Sequence, residues 1–456
     1  MAKLRKILAA LTLIAISAAV GLILCEAGAR LILNPADYFS VEMVPDAALG
    51  AVPSPSARSG FDDWGFRNRR VPNSAEIVAI GDSHTYGNTA RMQDSWPYVL
   101  GQLSSKSVYN LGMGGYGPNQ YFYLLKDKAL GLKPKVILCG LYMGDDFENA
   151  YSITYGLDYW KSLRKDQNQK ADFNIWGTPQ GGTTWNKNVR VWLSRHSVVY
   201  QLAFHGPLMG LTQGEYQIKN ATTLYPGEAV ALDLPDKHIL EAFRPKGLLL
   251  RLDQQSAPVQ EGMRITFELL KQMKELCDQQ KIRFVVVVIP TKEQVFSQYL
   301  EHNSKLPMSD VFDSLIANER VAREKLFQFM SGSGIEYVDT LPALKGAIDQ
   351  KLYARTAADM HPNRNGYRVI AEAVARTLRG NTPNARLGSR TQSAGNMRSE
   401  RTAYQRTTEK ANSLIPLDEL NVLAAMPESP FTGRETGTES RILMYFRALK
   451  FPLPAA

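Results

Sequence analysis

Cysteine is scarce in this chain, which has three cysteines among 456 residues. So few cysteines cannot build the disulfide framework that stabilises small secreted domains. Cys25 lies in an apolar run, whereas Cys139 and Cys277 fall in a predicted strand and a predicted helix. We therefore predict free thiols and a fold held by its hydrophobic core, for which 44% hydrophobic and 21% charged residues are ordinary values.

The sequence also lacks the patterns that bind nucleic acids and nucleotides. Its formal net charge is +9, but the lysines and arginines are scattered and form no motif with aromatic residues. No Gly-Lys-Ser/Thr follows the glycine-rich segment at residues 110–117, and its spacing does not fit a dinucleotide-binding fingerprint. We expect no nucleic-acid partner and no P-loop.

One apolar run near the amino terminus is informative. Residues 7–24 carry no charge and approach the length of a helix that spans a bilayer. Basic residues favour the cytoplasmic side of a membrane, and three of them precede the run: Lys3, Arg5 and Lys6. We predict a single-pass anchor at residues 1–34 in the inner (cytoplasmic) membrane, with the remaining chain outside the cytoplasm. The alternative is a cleaved signal peptide, since Ala27-Gly28-Ala29 offers a cleavage site.

Strand and helix signals alternate over residues 73–380. Short apolar runs at residues 77–80, 107–111, 136–141, 283–289 and 335–339 are separated by stretches with helical periodicity. Alternation of this kind predicts an α/β fold whose parallel sheet is covered on both faces.

Three further segments do not follow this alternation. Residues 35–72 are rich in Pro, Ser, Gly and Asp, and we predict a linker there. Residues 150–255 contain no regular alternation and are predicted to be an insertion in the domain, of the kind that often carries binding function. Residues 381–456, polar and without periodicity for most of their length, are predicted to be a largely disordered tail.

Chemistry-bearing residues follow two predicted strands and precede the last predicted helix. The segment GDSHTYG at residues 81–87 places Ser83 at the end of a strand, where open α/β sheets bind ligands. The segment NLGMGGYG at residues 110–117 offers backbone N–H groups that no side chain obstructs. Asp359 and His361 are two residues apart, so in extended backbone both can face one site. Taken singly, these segments also fit a helix-capping serine, a plain loop and a surface histidine.

Together the three segments resemble the SGNH/GDSL hydrolase family. The resemblance covers residues 73–150 and 258–380, and it implies a three-layer α/β/α, flavodoxin-like fold. It further implies Ser83 as nucleophile, His361 as general base and Asp359 as the residue that orients it, with the N–H groups of Ser83 and Gly115 in the oxyanion hole. This chemistry needs no metal and no organic cofactor.

One residue departs from the family pattern. The family usually has an asparagine after the third strand, whose side chain donates a hydrogen bond to the oxyanion, and Asp145 occupies that position here. An ionised carboxylate accepts hydrogen bonds and cannot donate them. Asp145 is therefore a questionable oxyanion residue.

The anchored topology and the Asp-x-His spacing also resemble SGNH-like acetyltransferases that modify exported bacterial polysaccharides. Lys292, in the segment IPTKE at residues 289–293, is predicted either to bind an anionic substrate group or to be an exposed lysine at a helix start. We expect a serine-dependent hydrolase of an envelope or exported glycan or lipid ester. The alternatives are an O-acyltransferase of exported polysaccharide and a non-catalytic glycan-binding or assembly protein on the same fold.

Overall fold

The computed structural model describes residues 2–39, 43–54, 61–170, 185–204, 215–353 and 359–380. The predicted tail at residues 381–456 lies outside these residues. The strands are β1 Met43–Asp46, β2 Gly50–Pro53, β3 Ile77–Gly81, β4 Val108–Gly112, β5 Val136–Tyr142, β6 Val230–Leu234, β7 Ile239–Phe243, β8 Arg283–Ile289 and β9 Glu336–Asp339.

The helices are α1 Ala2–Ile32, α2 Ser83–Tyr86, α3 Trp96–Ser104, α4 Pro118–Leu124, α5 Asp146–Gly156, α6 Trp185–His196, α7 Val198–Phe204, α8 Ala221–Leu224, α9 Pro245–Leu252, α10 Ala257–Gln279, α11 Lys292–Val295, α12 Ser297–Leu300, α13 Ser309–Gly332, α14 Leu341–Gly346 and α15 Arg364–Leu378. Short single turns connect several of them.

The central sheet has five parallel strands in the order β4-β3-β5-β8-β9. Successive residues of a strand point to opposite faces, and both faces are buried here. Val78 and Ile80 pack with α4, α5, α10 and α13, whereas Ile77 and Ala79 pack with α3 and α15. The chain therefore forms the predicted α/β/α sandwich. The run Arg283–Ile289 is β8, an interior strand between β5 and β9 that is covered on both faces, as its β-branched composition indicates.

Two small antiparallel sheets lie outside this sandwich. β1 pairs with β2, and β6 pairs with β7. Within the described residues, the cysteines are free: Cys139 and Cys277 are buried, and Cys25 is exposed on α1.

Helix α1 is, among the described residues, the one helix long and apolar enough to cross a membrane. Its carboxyl end leads into the α/β/α domain, and a buried ion pair joins the residues that follow it to this domain. Arg67 Nη2 lies 2.7 Å from Asp37 Oδ1, and the Arg67 side chain is 3% exposed. The same guanidinium donates to the carbonyls of Gly87 and Ala90, at 3.0 and 2.7 Å. Residues that follow α1 are thereby tied to the loop that follows α2.

Candidate active site

Ser83 begins the one-turn helix α2 at the carboxyl end of β3. Asp82 caps this helix, because its Oδ1 accepts a hydrogen bond from the His84 N–H at 2.9 Å. The turn packs tightly on the neighbouring strand: a Cβ atom at Gly112 would lie 2.3 Å from the Tyr86 nitrogen. Glycine at the end of β4 therefore allows the Ser83 turn to lie directly on the sheet.

Asn110 holds the same turn from the side of β4. Its Nδ2 donates to the Thr85 carbonyl at 2.9 Å, and its Oδ1 accepts from the Gly112 N–H at 2.8 Å. The side chain is buried. The first asparagine of the glycine-rich segment thus has a positioning role.

Ser83, His361 and Asp359 form a continuous chain of hydrogen bonds. Ser83 Oγ lies 2.8 Å from His361 Nε2, and His361 Nδ1 lies 2.7 Å from Asp359 Oδ1. The same carboxylate accepts from the His361 backbone N–H at 2.8 Å. Because a carboxylate can only accept, Nδ1 carries the proton of a neutral imidazole, and Nε2 is the acceptor for the serine hydroxyl. This is the arrangement that activates a serine nucleophile.

Two hydrogen bonds fix the loop that carries His361. Asn363 caps α15 by accepting from the N–H groups at the start of that helix, and its Nδ2 donates to the Tyr353 carbonyl at 2.8 Å. On the opposite side, Thr89 Oγ1 donates to the Pro362 carbonyl at 2.8 Å. The loop after α2 and the loop before α15 are thereby joined, although they are far apart in sequence.

Charges around the imidazole favour its protonated form. Burial lowers the pKa of His361, but the charge and hydrogen bond of Asp359, followed by the charges of Asp82 and Asp145, outweigh it and raise that pKa above its ordinary value. Burial acts to raise the pKa of Asp359, yet His361 and the charge of Lys292 hold it below its ordinary value. The neutral base is therefore fully available only above the usual titration range of histidine.

A second histidine lies beside the first, and no sequence pattern predicted a role for it. His84 stacks on Tyr142, with ring centroids 3.8 Å apart, and its centroid is 4.7 Å from that of His361. Its Nδ1 lies 2.9 Å from Asp82 Oδ2. Burial, opposed by Asp82, lowers the pKa of His84 and so favours the neutral ring. The sequence contains one indication of a role for His84, which is its position directly after Ser83. A position next to the serine does not by itself predict that the His84 ring stacks on Tyr142.

The glycine-rich loop lies next to Ser83. Gly115 is exposed and has a φ of +75°, a left-handed conformation that favours glycine. Gly114 also lies close to the serine, since a Cβ atom built on it would be 3.8 Å from Ser83 Cβ. The sequence-based prediction named Gly115 alone, and the neighbouring Gly114 is thus an additional candidate for the oxyanion hole.

Asp145 lies at the carboxyl end of β5, immediately before α5, and is half-buried. Its charge acts on His361, so the carboxylate belongs to the electrostatic environment of the site. The next residue, Asp146, is buried and accepts from Tyr121 Oη at 2.8 Å and from the Tyr142 N–H at 2.9 Å. Burial, together with nearby carboxylates, raises the pKa of Asp146 well above its ordinary value.

Lys292 begins α11, as the prediction of an exposed lysine at a helix start requires. The side chain is buried, however, with 2% exposure, so the exposed-lysine prediction is wrong in this respect. Its Nζ lies 2.6 Å from Glu241 Oε2, donates to the Ala242 carbonyl at 3.0 Å, and lies over the rings of Phe243 and Tyr353. The β6–β7 hairpin of the predicted insertion therefore supplies its partners. Contact of Lys292 with a substrate anion stays a prediction.

Comparison with known proteins places part of the chain in a family. Residues 248–441 match the family model ALGX, described as the SGNH hydrolase-like domain of acetyltransferase AlgX. The matched segment contains Asp359 and His361, whereas Ser83 lies before it. Over this segment the chain is similar to an SGNH hydrolase-like domain. At the level of the family, this assignment supports acyl-ester hydrolase or acyltransferase activity.

Solved structures with similarity to this chain include three bacterial proteins. A lipolytic protein of the G-D-S-L family from Desulfitobacterium hafniense is 13% identical, with a TM-score of 0.32, over 66% of this chain and 99% of that one. A GDSL-like lipase from Bacteroides thetaiotaomicron is 10% identical, with a TM-score of 0.31, over 67% and 88%. A catalytic mutant of Axe2, an acetylxylan esterase from Geobacillus stearothermophilus, is 11% identical, with a TM-score of 0.32, over 67% and 94%. No curated protein sequence matches the chain.

Proposed function

We propose that this protein is a serine-dependent acyl-ester hydrolase that acts outside the cytoplasm on an envelope or exported glycan or lipid ester. The observation that carries the proposal is the hydrogen-bonded chain from Ser83 Oγ through His361 to Asp359, with distances of 2.8 and 2.7 Å. Neither a surface histidine nor a helix-capping serine would need these two hydrogen bonds.

The reaction follows from the proton positions. Ser83 Oγ attacks the ester carbonyl carbon while His361 Nε2 takes the hydroxyl proton, and Asp359 stabilises the imidazolium. The N–H groups of Ser83 and of Gly114 or Gly115 stabilise the oxyanion. The tetrahedral intermediate collapses, and the leaving alcohol receives the proton from His361. Water, deprotonated by His361, then attacks the acyl-serine. The second tetrahedral intermediate releases the carboxylic acid while Ser83 Oγ takes the proton back from His361 Nε2.

A serine-directed phosphonate probe tests this proposal. We expect one label per chain, on Ser83, in the wild type and none in Ser83→Ala. Ser104→Ala is a matched control on α3 and should label like the wild type. Ser83→Ala and His361→Ala should each lower the turnover of acetyl or butyryl esters at least about a thousandfold, because triad residues act as a unit. Circular dichroism should show unchanged folding. Near-normal turnover in Ser83→Ala would exclude the serine mechanism.

O-acyl transfer is favoured by the matched family, whose description names an acetyltransferase. Transfer and hydrolysis share the acyl-enzyme and differ only in whether a sugar hydroxyl or water accepts the acyl group. Incubating the labelled acetyl-enzyme with polysaccharide fragments separates them. Label recovered on the sugar supports transfer, whereas label recovered only as acetate supports hydrolysis.

A non-catalytic glycan-binding role is favoured by one residue, Asp145, whose carboxylate occupies the position of an oxyanion donor. Retention of polysaccharide together with no phosphonate labelling would support this role.

We further propose that α1 is an uncleaved anchor in the inner (cytoplasmic) membrane. Contacts at its carboxyl end support this proposal. Glu26 Oε1 accepts from the Val198 N–H at 3.0 Å, and Glu26 Oε2 accepts from Ser197 Oγ at 2.9 Å. Cleavage near Ala29 would remove Glu26 and leave these donors of the α6–α7 junction without their acceptor.

A further inference from the structure

The sequence of helices α6 and α7 is basic and free of acidic residues. Residues 185–204 contain Lys187, Arg190 and Arg195 but no aspartate and no glutamate. On α6, Trp192 is 58% exposed and Val191 is 40% exposed. A helix that combines basic residues with an exposed tryptophan and valine has the chemistry of a segment that lies at the surface of an anionic membrane.

The position of this segment is set by α1. Arg30 Nη2 donates to the His196 carbonyl at 2.5 Å, and Glu26 accepts from the N–H groups of Val198 and Val199, each at 3.0 Å. Glu26 comes two residues after the apolar run at residues 7–24. With a rise of about 1.5 Å per residue, Glu26 lies about 3 Å and Arg30 about 9 Å beyond the end of that run. The α6–α7 junction is therefore at the depth of the lipid headgroups.

We propose that α6 binds the outer surface of the membrane beside α1, with Trp192 at the interface and the exposed Arg190 against anionic lipid headgroups. Tryptophan is enriched at this depth, and each basic residue near an anionic surface adds to the attraction. The inference rests on the proposed anchoring by α1. A second contact of this kind would restrict rotation of the domain about the anchor and so fix how the Ser83 site faces the membrane.

Quenching of tryptophan fluorescence by brominated lipids tests the proposal on the full chain. The protein is placed in nanodiscs of phosphatidylethanolamine and phosphatidylglycerol, with or without bromine on the acyl chains. We expect quenching in the wild type and loss of most of it in Trp192→Phe. Trp64→Phe is the matched control, because Trp64 packs on Tyr109 in the catalytic domain, and this variant should be quenched like the wild type.

The outcomes distinguish failure of the proposed surface contact from failure of the proposed anchor. A chain that enters the nanodiscs but shows equal quenching in Trp192→Phe and wild type would overturn the surface contact and leave the anchor intact. A chain that does not enter them would overturn both. Quenching should weaken in discs of brominated phosphatidylcholine and in Arg190→Gln. Equal quenching in these two cases would overturn the role of the anionic headgroups.

Discussion

Replacing Asp145 with asparagine changes two properties of the active site at once. It removes a negative charge that contributes to the raised pKa of His361. It also introduces an amide N–H₂ group, which can donate to an oxyanion where the carboxylate cannot. Both effects lead us to expect that Asp145→Asn raises ester turnover at neutral pH.

The size of the gain has a limit and two separable parts. One oxyanion donor is worth on the order of 10² to 10³ in rate, so a donor at position 145 should yield at least several-fold. The charge acts through the base: His361 must be neutral, and activity is lost as the pH falls through its raised pKa. Each unit by which that pKa drops multiplies the neutral fraction on the acid side by about ten. The acid limb of the variant should therefore move to lower pH.

Profiles of kcat/KM against pH with a soluble acetyl ester separate the two parts. Asp145→Ala removes the charge without adding a donor, so it should shift the acid limb and leave the plateau low. Asp145→Asn should shift the limb and raise the plateau. Asp127→Asn makes the same chemical change at an exposed position and should follow the wild type. Superimposable profiles for Asp145→Asn and wild type, or lower activity throughout, would refute the reasoning and leave the backbone N–H groups as the oxyanion donors.

Three further predictions concern the anchor and the buried charges. A reporter that is active only outside the cytoplasm should be active when fused after residue 380, and the full chain should stay in membranes after a salt wash. A cytoplasmic location of the fusion, with an inactive reporter, would contradict this topology. A soluble product cut near Ala29 would favour a signal peptide. Lys292→Met should lower the free energy of unfolding, measured by urea titration, by about 3–5 kcal/mol, because it leaves Glu241 buried without its cation. Adding Glu241→Gln to this variant should restore part of the lost stability. Unchanged stability together with a raised KM would favour contact of Lys292 with substrate. Arg67→Met should cost a similar amount, about 3–5 kcal/mol in urea titration, and lower turnover; unchanged unfolding would show that its buried ion pair contributes little.

The sheet could be predicted from sequence because its signals are local. A β-branched run such as Arg283–Ile289 and the short strand before Ser83 indicate buried parallel strands without knowledge of the rest of the fold. The sequence pattern also predicts that Ser83 and His361 lie near each other. Ser83 follows the end of a strand and His361 comes just before a helix, and both positions are at the same edge of the sheet. What the pattern does not contain is the distance between them.

The surroundings of the site could not be predicted because they depend on contacts between distant segments. Lys292 is buried by Glu241 and Phe243, which come from the β6–β7 hairpin, and the sequence alone indicated either an exposed lysine or a substrate contact. The stack of His84 on Tyr142 likewise joins two strand ends. Periodicity describes one element at a time and does not report which side chains two elements bring together.

Three carboxylates act on the imidazole of His361 through their charge, and two of them also position neighbouring groups. Asp359 has a hydrogen bond to His361, and Asp82 has one to His84 while it caps α2, so each has a positioning role besides its charge. Asp145 caps no backbone N–H of α5 through its side chain. Its charge nevertheless adds to the two others that stabilise the imidazolium. Because the attack of Ser83 and the later attack of water on the acyl-serine both need a neutral His361, we expect the charge of Asp145 to slow both steps at neutral pH.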